Sequence, residues 1–200
     1  KIRHHLVSSD IIRSVDLKGL SQWRTISMST LLDTIRSVPS ALEEIPKFMG
    51  EVIDNLTAVA DNFDIDEVQT AVVSTLGFIF GQLCEKKENK AIFETYLSQQ
   101  FKGFRCGPKL MESFSLLVKD PTRPAQETVY LLNSLDLFLK MIVRAYQLST
   151  KDFTIATSTP PISSAAMQHL IDCMNFIATT QEPRLVLAQM ALLTVWHSVC

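Results

Sequence analysis

Glycine and proline are scarce in this chain. Its 200 residues include only 6 glycines and 8 prolines, so long stretches run without a turn signal. That excludes a fold of many short, turn-linked strands and leaves room for long helices. Cysteine is sparse too. Cys84, Cys106, Cys173 and Cys200 lie far apart and form no CxxC pair. Neither a disulfide framework nor a zinc ribbon fits that spacing, and a reducing compartment does. Charge of one sign is also missing: the net charge is −2. Phosphate neutralisation needs a basic stripe, so no nucleic-acid partner is expected. Lys86, Lys87 and Lys90 are the densest basic group, but Glu85 and Glu88 interrupt them. They read as the solvated C-terminal end of a helix. No apolar run reaches the roughly 18 residues of a membrane span. No signal peptide is evident, and both ends look like cuts through a longer chain.

Apolar residues are plentiful, at 46% against 20% charged. That composition buries a core and argues against disorder. Residues 8–24 suggest a short amphipathic helix or turn around Val15, Leu17, Leu20 and Trp23. A second helix is predicted over 29–38, ending at Pro39, with capping-box spacing between Ser40 and Glu43. Pro46 belongs in the first turn of a third helix. There Ile45, Met49, Val52, Leu56, Val59 and Phe63 form one apolar stripe. A fourth helix runs to about residue 87, with Asp64 and Asp66 as possible N-caps. It has two stripes, Val68-Val72-Leu76-Ile79-Leu83 and Val73-Phe80-Cys84, which means contact on two sides. Gly77 and Gly81 cost helix propensity, and their spacing of four points to a close helix crossing.

Further helices are predicted over 90–101 (Ile92, Phe93, Tyr96, Leu97, Phe101), 108–118 and 126–148. The last of these is apolar nearly all round and is expected to be the most buried. Residues 149–164, rich in Ser and Thr and containing Pro160-Pro161, read as an exposed linker. Helices over 164–179 and from Pro183 onward complete the chain. The expected fold is all-α: stacked helical hairpins in a HEAT/armadillo-like α-solenoid, a single segment over 1–200.

Chemistry-bearing constellations are weak. His169 and Cys173 share a helix face, but zinc needs more ligands. His4-His5 is weaker still. Cys106-Gly107-Pro108 has no neighbouring base. Gly77 to Gly81 lies inside a helix and offers a phosphate no row of free N–H groups. The acid pairs Glu43-Glu44 and Asp64/Asp66 sit at helix starts, where they complement the dipole. Trp23-Arg24 and residues 101–105 mix rings and cations, and read as core and loop rather than an RNA platform. No catalytic, cofactor-binding or metal residue is named, and no cofactor is expected.

Three stretches say more in succession than alone: Leu17-Lys18-Gly19-Leu20-Ser21-Gln22-Trp23-Arg24, Phe93-Glu94-Thr95-Tyr96-Leu97-Ser98-Gln99-Gln100-Phe101, and Leu135 to Arg144 (LDLFLKMIVR). Over about residues 7–180 they resemble the dedicator-of-cytokinesis (DOCK) family of atypical Rho-family exchange factors, most of all its ELMO-binding, Rac-directed branch. The resembling region is the helical repeat between a lipid-binding C2-like domain and the exchange domain. The resemblance implies a cytoplasmic scaffold and interaction segment, recruited to the plasma membrane through other domains. Its partners would be neighbouring domains of the same chain and, for the full-length protein, a Rac-type GTPase and an ELMO-type adaptor. The family's exchange residues lie elsewhere, so no enzyme activity is expected of this segment. The alternative is an independent HEAT/armadillo-type binding module, an adaptor or transport factor.

Overall fold

The computed structural model describes residues 14–84, 86–151 and 164–179. Among them the chain is helical, with no strand. In chain order the elements are α1 (Val15–Ser21), α2 (Met28–Ser37), a 3₁₀ turn (Val38–Ala41), α3 (Ile45–Asn62), α4 (Asp66–Cys84), α5 (Lys87–Gln99), α6 (Gly107–Lys119), α7 (Ala125–Asn133), α8 (Leu135–Lys151) and α9 (Ser164–Thr179). The all-α, stacked-hairpin expectation holds. The linker expected over 149–164 falls almost wholly outside the described residues, and the helix expected from Pro183 falls entirely outside them.

Local chemistry sets the early boundaries. The Ser14 hydroxyl accepts from the Leu17 N–H, and the Ser27 hydroxyl from the Thr30 N–H, each capping a helix start. Pro39 ends α2 by tightening the chain into the 3₁₀ turn. The capping box at Ser40 does not form. Its hydroxyl donates to Asp16 at 2.9 Å instead, beside a 2.8 Å bond from Ser37 to the same carboxylate. These bonds fasten α1 to the turn. Pro46 stands in the first turn of α3, as expected. Gln69 closes the far end of α3: its amide donates to the carbonyls of Ala60 and Phe63.

At the centre is α4, which packs against α2, the 3₁₀ turn, α3, α5, α6, α7 and α8. None of its residues 68–82 is exposed. Two-sided burial of α4 is therefore observed, and this helix, rather than the stretch 126–148, is the most buried. Phe80 sits at the hub, edge-on to Phe93 of α5 and to Phe138 of α8 at 5.1 and 5.2 Å between centroids. The glycines act as the spacing suggested. A Cβ on Gly77 would stand 2.5 Å from Leu131 Cδ1, and one on Gly81 would stand 3.1 Å from the Tyr130 carbonyl oxygen. Both contacts are with α7, which can approach α4 closely only because side chains are missing there.

The single helix expected over 126–148 is two. It breaks at Ser134, which is fully buried and whose hydroxyl donates to the Leu131 carbonyl. A side chain that competes for a main-chain acceptor weakens the helical ladder at that point. Other expectations shift by smaller amounts. The lysine cluster belongs to the start of α5, not the end of α4. Positive charge is unfavourable at that dipole end, and Lys90 is met by Asp136 at 3.1 Å. Asp66 opens α4 rather than capping it. Val15 and Ile92, named among the apolar residues of their helices, are exposed.

Helices α3, α5 and α8 form one side of the stack and run parallel. The Tyr96 hydroxyl of α5 donates to Asp54 of α3 at 2.5 Å. Further along α3, Asp61 accepts from the N–H groups of Arg105 and Cys106, just past α5. From α5 to α8 the contacts climb together: Lys90 to Asp136, Glu94 to Lys140, Ser98 to Arg144. Each step is four residues on both helices, so the register is a constant 46 residues.

Candidate functional site

Trp23 is buried, edge-on to Phe63 at 6.0 Å, with the Arg24 guanidinium 4.3 Å over its ring. Phe101 is buried as well and meets Phe104. These aromatic–cation pairs are core and edge, not a stacking platform. Cys106 is half-buried against Asp61. Burial, followed by the neighbouring Asp61 carboxylate, pushes its thiol far above the ordinary range, so the thiolate that a nucleophile requires is suppressed. Glu44 accepts from the Ser14 N–H at 3.3 Å, and Lys109 bridges Asp64 and Asp66 at 2.9 and 3.4 Å. Glu44, Asp64 and Asp66 thus serve contacts between elements. The side chains of Cys84, His169 and Cys173, and all of His4, His5 and Cys200, lie outside the described residues. No group of three metal-ligating side chains gathers among the described residues, and no described helix is long and apolar enough to cross a membrane.

The structure brings together two surfaces that the sequence did not single out. The first is the α5–α8 ladder. Lys140 joins Glu94 at 3.1 Å and Asp136 at 3.3 Å. The Arg144 guanidinium donates to the carbonyls of Leu97 and Ser98 at 3.2 and 3.1 Å. Those carbonyls end α5 and have no acceptor role within the helix, so a cation there satisfies them and the dipole together. Every charged residue of the third motif therefore works between helices.

The second is a groove of about 660 Å³ across the partly buried strip of α4. Thr70, Ala71, Ser74 and Phe78 make its floor. Arg36 and Pro39 form one wall; Pro124 and α7 form the other. Arg36 pairs with Glu67 at 2.8 Å. Arg123 reaches Ser74 at 2.6 Å and Glu127 at 3.1 Å. Phe78 and Tyr130 close one end, edge to face at 5.7 Å. Volume and lining suit a segment of polypeptide; among the described residues that line it, no acid, base and nucleophile converge. A polar strip at Glu67, Thr70 and Ser74 was visible in the sequence. The walls were not, because they come from elements some 30 to 50 residues away.

No solved structure matches the chain. Residues 25–200 match the family model described as the dedicator of cytokinesis (DOCK) TPR region. The α3–α5 and α5–α8 registers of 42 and 46 residues exceed the 34 of a tetratricopeptide unit and lie within the roughly 40–47 of HEAT and armadillo units. The matched span takes in everything after residue 24, including the second and third sequence motifs and both surfaces described above, and the chain belongs to the DOCK family.

Proposed function

We propose that this chain is the structural spacer and interaction segment of a Rac/Rho-family guanine nucleotide exchange factor of the ELMO-binding, Rac-directed branch. It holds a membrane-binding domain and an exchange domain at a set distance and angle. The segment itself performs no exchange. Its immediate partners are the neighbouring domains; the GTPase and the ELMO-type adaptor engage the full-length protein, which is cytoplasmic and recruited to the plasma membrane. One observation carries the reading. The charged groups of the α5 and α8 motifs are engaged between helices, those of α5 and α8 at a constant register, and the Tyr96 hydroxyl ties α5 to α3. Such interlocking makes a stiff strut, and a strut transmits geometry. A second reading, an independent HEAT/armadillo-type module, would rely on the groove across α4; family membership favours the first.

Release of fluorescent GDP from Rac tests the proposal. With the 200-residue chain added, the rate should stay at its intrinsic value. Deleting the segment from the full-length factor should impair membrane-directed activation more than the rate of the excised exchange domain. Stimulation by the segment comparable to that of an exchange domain overturns the reading.

A further inference from the structure

The groove across α4 is graded along its length. One end carries Asp66 and Glu67, the middle carries Glu127, and the other end is the Phe78–Tyr130 pair. From Glu67 to Phe78 is about 16 Å along the helix axis. The charges in it are also sorted by depth. The side chains of Asp66, Glu67 and Glu127 are 90%, 59% and 53% exposed. Of the cations that meet them, Lys109 is 35% and Arg123 11% exposed; only Arg36, at 54%, stands level with them. An approaching molecule therefore meets carboxylate oxygens, with positive charge drawn back behind them.

We infer that this groove is a docking site for a cationic polypeptide segment with an apolar anchor, its Lys or Arg side chains meeting Asp66, Glu67 and Glu127 and its apolar residue lodging against Phe78 and Tyr130. Charge complementarity selects the occupant. The carboxylates of the present ion pairs are solvent-exposed, so an incoming cation joins them at little cost. A carboxylate with free lone pairs accepts a second donor readily. The floor of Thr70, Ala71 and Ser74 is small enough for a main chain to lie close. An anionic or wholly apolar segment lacks one half of this match. The assignment concerns a surface and does not depend on the spacer reading.

Fluorescence anisotropy with the 200-residue chain decides it. The probe is a labelled hexapeptide, Arg-Ser-Ser-Arg-Ser-Leu, beside versions with Glu for Arg and with Ser for Leu. The Arg peptide should bind saturably at low salt and release as salt rises. Glu67→Gln combined with Glu127→Gln should weaken it about fivefold. Both positions are exposed, so melting of the variant checks that the fold is intact. The same variant removes two carboxylates from the groove and should raise affinity for the Glu peptide. The Ser-for-Leu peptide should bind more weakly than the parent. Absence of saturable binding, equal binding of Arg and Glu peptides, or indifference to the double substitution overturns the inference while leaving the GDP-release result unaffected.

Discussion

The α4–α7 crossing and the α5–α8 ladder tie neighbouring helices together by different physics. At the first, side chains are absent: Gly77 and Gly81 let Leu131 and the Tyr130 backbone come close. At the second, side chains are long and charged, and Lys90, Glu94, Lys140 and Arg144 span the gap. Close apolar contact supplies dispersion and burial, which carry most of the energy. Ion pairs that repeat every four residues supply little energy, yet they fit only one register. The crossing therefore holds the array together, and the ladder fixes how far one unit sits along the next. A segment that sets geometry between domains needs both.

The largest expected effect breaks the apolar side of this comparison. Phe80 is fully buried, between Phe93 and Phe138. Phe80→Asp places a carboxylate with no partner at the hub, at a cost of several kcal/mol. That is a large share of a domain's stability of about 5–15 kcal/mol. Circular dichroism should show unfolding or aggregation at room temperature. A soluble, fully helical variant with unchanged melting would refute two-sided burial of α4.

A smaller effect sharpens the crossing itself. Gly77→Val improves intrinsic helix propensity yet inserts a Cβ and two methyl groups toward Leu131, which is buried and backed by core. Overpacking of this kind costs about 1–3 kcal/mol. Urea denaturation should show a lower midpoint with a similar slope. A raised midpoint would mean that α7 moves away freely and that the crossing is not close-packed.

Legibility in the sequence followed the same division. Whatever depends on periodicity was visible: the two stripes of α4, the stripe of α3, and the glycine spacing. Whatever depends on one atom competing with another was hidden. The apolar pattern runs on through Ser134, and nothing local signals that its hydroxyl takes the Leu131 carbonyl and splits the helix. The ladder was hidden for a different reason. Lys90, Glu94, Lys140 and Arg144 read as ordinary solvated charges until a 46-residue register sets one helix beside the other. The groove is hidden likewise, since its walls come from distant elements.

The smallest effect isolates the ladder by pH. Burial pulls the Lys140 ammonium toward neutrality, but the Glu94 and Asp136 carboxylates outweigh it and raise its pKa above the ordinary lysine value. A group whose pKa is raised in the folded state contributes stability that is fully present below its unfolded value and is lost as pH climbs through the folded value. The window is therefore alkaline, at and above the usual lysine range; acidification to neutral leaves this contribution intact. Arg144 holds the end of α5 separately, through the Leu97 and Ser98 carbonyls. Loss of the Lys140 contacts should thus weaken the ladder without dismantling it, by about 1 kcal/mol or less for half-exposed pairs. Lys140→Met preserves the aliphatic packing and removes the charge. Melting of the wild-type chain should fall more steeply than that of the variant between neutral and strongly alkaline pH. Tyrosine ionisation and the other lysines affect both proteins alike and cancel in the difference. Parallel curves would mean that Lys140 adds nothing to the seam, leaving Arg144 and Lys90 to define its register.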